Sequence, residues 1–197
     1  MTFQEFISKY DHPGSIVLLL GKRVIPTIDQ EKLVRLGELL ARSSMYTTFR
    51  SGNAPGADYL FSSGVSGVEP KRLEVLVPYT GHRKTLNMAY LNRSLDDLDL
   101  TKEPEVVYQS RANRKTSKLV DSYILGNRDN YSMKASFIIR DTLMVIGSNS
   151  GIAPATIGLF YDDLDQPMQG GTGHTMKVCE SNNIPYFNQE IWFNWID

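Results

Sequence analysis

The first strong pattern in the chain is an aliphatic run, Ile16 to Leu20, inside the segment Ser15–Val24. A strand apolar on both faces belongs in a parallel sheet covered on both sides. Pro26 ends it. From Thr27 to Ser44 the apolar positions Leu33, Leu36 and Leu40 recur at helical spacing, joined by Gly37. Thr27 and Gln30 fit a capping box at the start of this helix, and Gly37 is expected to let it lie close to the sheet.

The alternation then repeats. Tyr46–Arg50 predicts a second strand, Pro55–Gly64 opens a second helix, and Arg72–Tyr79 predicts a third strand. From Thr80 to about Tyr123 the pattern weakens. There Thr85–Leu95 and Lys115–Leu125 are candidate helices. Asp129–Asp141 predicts a helix and Thr142–Ser150 another buried strand. A polar, acidic connection, Gly151–Gln169, leads to a glycine loop that opens a helix over Gly170–Ile184. Pro185–Gln189 predicts a last short strand. Strand–helix alternation of this kind argues for an open, mostly parallel α/β sheet with helices on both faces.

Ligands in such sheets sit beyond the carboxyl ends of the strands, near the point where strand order switches. The strand ends carry Gly21-Lys22-Arg23, then Arg50-Ser51-Gly52-Asn53, then Pro78-Tyr79, then Gly147-Ser148. The loop Gly170-Gly171-Thr172-Gly173 precedes a helix, with His174 and Thr175 beside it. Helix N-termini present unpaired N–H groups, and glycines let backbone approach an anion. All of these residues except Pro78 and Tyr79, together with Asp58 and Arg128, are the expected ligand set. Arg50 is expected to hold an oxyanion, although pairing with a carboxylate such as Asp58 would also account for it. Asp58 reads either as a ligand contact or as a helix-start charge. Of Arg128 and Arg140, which flank the predicted helix, one should reach the pocket, and Arg128 is the choice. The helix field should keep His174 neutral. The segment Ile152–Gln169 is expected to act as a lid, with Phe160 and Tyr161 over a base.

Composition narrows the partners. The chain has 197 residues, 41% hydrophobic and 22% charged, which suits one domain with a sizeable core. The net charge of -1 offers no global basic field, so nucleic acid and membrane are not expected partners. The basic run Ser110–Lys118 reads as a solvated loop. The N-terminal stretch Met1–Gly14 has no secretory pattern, and a lone Cys179 suits a reducing cytoplasm. No metal-ligand spacing occurs, and no cofactor is expected.

The turn "RSGNAPGAD" (Arg50–Asp58), preceded by "LLLGKR" (Leu18–Arg23) and followed by "GGTGHTMKVCESNNIPYFN" (Gly170–Asn188), resembles the SLOG superfamily. That group includes the DNA-processing protein A family, the Lonely Guy phosphoribohydrolases and short phage and bacterial proteins. "GNRDNYSM" (Gly126–Met133) is similar to the arginine-rich helix start of these proteins. The resemblance spans about Ile16–Asn188, with residues 80–117 as an unmatched insertion. It implies a Rossmann-like sheet, a nucleotide-derived ligand, and a homodimer or higher homo-oligomer. Lonely Guy proteins carry a catalytic glutamate after the glycine loop. Lys177 stands at that position here, and a cation cannot replace the carboxylate. The resemblance therefore implies a sensor or sequestering protein, conceivably in phage–host signalling. The alternatives are a divergent phosphoribohydrolase or nucleosidase, using Asp58 or an acidic residue of Asp162–Asp165, and a single-stranded DNA binder.

Overall fold

The computed structural model describes residues 1–196. Six parallel strands form one sheet: β1 (Ile16–Gly21), β2 (Thr48–Ser51), β3 (Leu73–Val77), β4 (Leu91–Ser94), β5 (Ile157–Tyr161) and β6 (Tyr186–Phe187). Their order is β4-β3-β2-β1-β5-β6. The chain runs outward from β1 to β4, then returns to the other side of β1. The switch in strand order therefore lies between β1 and β5.

Strand β1 is buried on both faces, as its aliphatic run requires. Val17 and Leu19 enter one core with Phe49, Phe61 and Trp192. Leu18 and Leu20 enter the other with Ile139, Leu143 and Phe160. Helices α1 (Phe3–Tyr10), α2 (Thr27–Ser43), α3 (Ala57–Val68) and the short α8 (Gln189–Trp192) cover the first face. Helices α4 (Pro104–Ser110), α5 (Ser117–Ile124), α6 (Met133–Ile146) and α7 (Gly170–Ser181) cover the second. Full burial of each large aliphatic contributes roughly 1.5–3 kcal/mol.

Several local expectations change. The capping box at Thr27 does not form: Pro26 holds the cap position, and Gln30 instead donates to the Ile25 carbonyl at 3.2 Å. Gly37 faces α3 rather than the sheet, where a Cβ would meet the Phe61 carbonyl; Gly64 faces back at the Val34 carbonyl. Residues 85–95 form no α-helix: Thr85 and Leu86 belong to a short 3-10 turn, and β4 takes up Leu91–Ser94.

The largest change concerns Thr142–Ser150. Residues up to Ile146 continue α6 as helix. A short apolar run has no period that separates a buried helix from a buried strand. Here it lies between the sheet and its helical neighbours, so four successive residues, Thr142 to Val145, are buried. Gly147 (φ +72°) stops the helix, and its N–H bonds the Leu143 carbonyl at 2.9 Å. The missing strand is β5, inside the segment expected to be a lid. Phe160 and Tyr161 are buried in its middle and end, so neither can fold over a ligand. No helix among the described residues is long and apolar enough to cross a membrane.

Candidate functional site

A cavity of about 850 Å³ opens at the carboxyl ends of β1 and β5, between the N-terminal ends of α3 and α7 and one side of α6. Its position is the switch point of the sheet. From the expected set, Gly21, Lys22, Arg23, Asp58, Gly170, Gly171, Thr172 and Thr175 all line it.

Local sequence explains this convergence. The chain leaves β1 at Gly21, where a Cβ would collide with Tyr161 and Ala57. Gly56 takes φ +84° against the carbonyls of Lys22 and Arg23, so no larger residue fits. That approach lets the Ala57 N–H reach the Lys22 carbonyl at 3.1 Å. Asp58 is buried and accepts three backbone bonds: from Gly21 N at 3.1 Å, Gly52 N at 3.1 Å and Ala54 N at 3.3 Å. Burial nevertheless pushes its carboxyl up to about 6, against the pull of Arg140 and the N–H groups.

On the opposite wall α7 begins at Gly170 without a side-chain cap. Its first N–H groups have no intrahelical acceptor, and the residues that carry them, Gly170, Gly171 and Thr172, line the cavity. The remaining wall is mixed. Leu20, Val24, Phe137 and Ile138 give it apolar surface; Arg83, Lys134 and Arg140 add charge to Lys22 and Arg23. Lys22 is held at the rim by Asp163 at 3.3 Å. Desolvation, and the facing charges of Arg23 and Arg140, push the Arg83 pKa down. These guanidiniums are close enough to repel, and a repulsion of that kind is relieved by an anion.

Arg140 is the residue the sequence reading passed over. It is 6% exposed and lines the cavity. One Nη donates to the carbonyls of Gly52 and Leu76. Asp141 lies 2.9 Å from its Nε but out of line with the N–H, so that donor has no aligned acceptor. Asp141 also lines the cavity, and burial raises its pKa despite the nearby Arg140 and His174. The signal that could have selected Arg140 is its helical register: Phe137, Ile138, Arg140 and Asp141 share one side of α6 toward the cavity.

Other expected residues lie elsewhere. Arg50 points into the protein: its Nε meets Glu74 at 2.6 Å, and one Nη reaches the carbonyls of Met144 and Ala153 at 2.9 Å. It is 1% exposed and far from an oxyanion role. Ser51 and Gly52 are buried beneath the turn, and Asn53 uses its amide to hold the carbonyls of His82 and Arg83. Arg128 lies on the surface, stacked 3.8 Å from the Tyr123 ring centroid and bonded to the Tyr123 carbonyl. Gly147 caps α6 rather than ending a strand, and Ser148 closes the next loop, its Oγ accepting from Ile152 N at 3.0 Å. Gly173 packs against the Met168 carbonyl. His174 turns to α6, where Nε2 meets Thr142 Oγ1 at 2.9 Å. Its pKa is lowered, first by burial. Lys177 is exposed and outside the cavity lining.

No protein-family model matches the chain, and comparison with curated proteins finds no match. One solved structure is similar: DNA processing protein A from Helicobacter pylori, described for its single-stranded DNA binding mode. The likeness covers 92% of this chain and 67% of that one, with a TM-score of 0.50 at 15% sequence identity. The two proteins share a fold. That protein belongs to the group the Arg50–Asp58 turn resembles. The likeness also overturns the expectation that nucleic acid is an unlikely partner. Net charge averages over the whole surface, whereas here five basic side chains converge on one cavity.

Proposed function

We propose that the cavity binds the phosphate and base of a nucleotide-derived ligand. The observation that carries this reading is the excess of cations on the cavity wall, where Lys22, Arg23, Arg83, Lys134 and Arg140 meet only Asp58, Asp141 and Asp163. Gathering like charges in a cleft is costly unless they are paired, so an anion among them is the natural complement. The uncapped start of α7 supports the same reading, since helix N-termini favour phosphate. The three carboxylates in the wall do not cancel the cations. Asp163 holds Lys22 and Asp141 lies beside Arg140, while Arg23, Arg83 and Lys134 have no carboxylate within ion-pair distance among the described residues. Leu20, Phe137 and Ile138 offer the apolar surface a base needs. On this reading the protein senses or sequesters its ligand.

Single-stranded DNA is a second reading, favoured by the fold shared with DNA processing protein A. A strand would place a phosphate among the same groups, and its binding would fall steeply with salt. Calorimetry of the full chain against nucleoside monophosphates, nucleoside diphosphates and inorganic phosphate tests the primary reading. At least one nucleotide should bind. The double variant Arg23→Ala, Lys134→Ala, both at exposed positions, should weaken it at least about tenfold, or 1.4 kcal/mol. Equal affinity in wild type and variant, or no nucleotide binding at all, sinks the proposal. Chromatography of the released ligand should return it whole; free base would put a hydrolase in place of the binder.

A further inference from the structure

Three carboxylates line the cavity, and they are not equivalent. Asp58 is taken up by its three backbone N–H groups, and Asp163 pairs with Lys22 at 3.3 Å. Asp141 is 8% exposed and is held on one side only, where its Oδ1 lies 2.9 Å from Arg140 Nε. Among the described residues, no group donates a hydrogen bond to its Oδ2. That oxygen lies at the start of α7: a Cβ on Gly171 would meet it at 3.3 Å. A buried side chain with one unused acceptor is therefore aimed at the helix end where phosphate approaches.

A carboxylate accepts hydrogen bonds and never donates them. Left without a donor in a cleft, it costs free energy and repels a phosphate brought beside it. It favours only a ligand that carries a donor next to its anion. In a nucleotide that donor is a ribose hydroxyl, because the sugar is bonded directly to the phosphate. The base lies one unit further out, and the wall provides for it separately. Phe137 and Ile138 line the cavity one helical turn before Asp141 on the same side of α6. Along that side, apolar surface for a base is followed by an acceptor for a sugar.

We propose that Asp141 is a specificity-determining residue: its Oδ2 accepts from the 2′-hydroxyl of the ligand, so the cavity selects ribonucleotides over deoxyribonucleotides. This rests on the nucleotide reading of the cavity and narrows it to one sugar. It also sets the ligand apart from a DNA strand, whose sugar has no 2′-hydroxyl to donate. Arg140 is the positioning partner, since its guanidinium occupies Oδ1 and leaves Oδ2 for the ligand.

Calorimetry of the full chain tests this with the 5′-monophosphates and 5′-diphosphates of adenosine, guanosine, cytidine and uridine, each beside its 2′-deoxy counterpart. A ribonucleotide that binds should do so at least about tenfold more tightly than its 2′-deoxy form. In Asp141→Ala that ratio should fall below about threefold, because the ribonucleotide loses a bond while the deoxynucleotide loses a repulsion. Asp141→Asn keeps the shape without the charge; its ratio should also shrink, and it carries the test if Asp141→Ala does not fold. Equal affinities for the two sugars in the wild type overturn the proposal while the nucleotide reading stands. Binding of no nucleotide overturns both. A tenfold ratio that persists in the folded variants removes Asp141 as the residue that distinguishes the sugars.

Discussion

Arg140 and Asp58 hold Gly52 from its two sides. The Arg140 guanidinium donates to the Gly52 carbonyl, and the Gly52 N–H donates to Asp58 Oδ2 at 3.1 Å. The exit of β2, the start of α3 and the middle of α6 are thereby tied at one residue. A Cβ on Gly52 would collide with the guanidinium. The turn is thus a clasp that fixes Arg140 in the cavity wall.

Asp58→Ala should break the clasp. Three backbone donors lose their shared acceptor, and a buried unsatisfied donor costs about 1–3 kcal/mol. Urea denaturation should report a loss of about 2–4 kcal/mol, because water can reach some of the freed groups. A loss below about 0.5 kcal/mol would mean that the carboxylate does not organise the turn.

Arg50 should behave as a structural residue. Removing one partner of a buried ion pair strands the other, at a cost of about 3–5 kcal/mol. Arg50→Met should therefore lower thermal stability strongly by stranding Glu74, which Arg93 then only partly neutralises. Adding Glu74→Leu should recover part of the loss. If Arg50→Met melts like wild type but no longer binds nucleotide, its assignment to the core is wrong.

Gly171 and Gly173 should separate binding from folding. A Cβ at Gly171 meets only Asp141 Oδ2, at 3.3 Å, and faces the cavity. Gly171→Ala should fold with a melting temperature near wild type yet bind nucleotide at least about tenfold more weakly, since the methyl stands where phosphate must approach. A Cβ at Gly173 overlaps the Met168 carbonyl, so Gly173→Ala should instead be strongly destabilised. Calorimetry and thermal melts on both variants check the pair. The reverse pattern would move the anion site along α7.

His82 should make stability fall as pH drops. Burial, with Arg83, Arg140 and Arg23 adding to it, pushes its imidazole down to about 4; Tyr79 and Phe137 pack on the ring. The unfolded value is about 6.5, so the unfolded chain takes up the proton more readily. Stability from this neutral imidazole is fully present above about pH 6.5 and is lost as pH falls toward 4. His82→Gln should lose less stability than wild type across that window, a comparison that cancels the carboxylates common to both. Parallel denaturation curves from pH 7 to pH 4 would show that His82 titrates normally.

Much of this molecule follows from local pattern. The five aliphatics of β1 require a strand covered on both faces, and the recurring leucines of α2 require a helix. The glycines at Gly21, Gly170 and Gly171 mark where backbone can approach an anion, and all three line the cavity. These features depend on periodicity and steric freedom, which residues a few positions apart establish. The assignments that only tertiary structure decided depend on partners far along the chain. Thr142–Ile146 is helix because sheet and helices surround it on all sides, and no local period records that. Arg50 and Arg140 are the same side chain in sequence. One lies beside Glu74 on the neighbouring strand and becomes core, while the other lies on the cavity side of α6 and becomes site. A charge has no fixed role until the fold sets what faces it. Coulomb and desolvation energies depend on distance and burial, and neither is written in the order of residues.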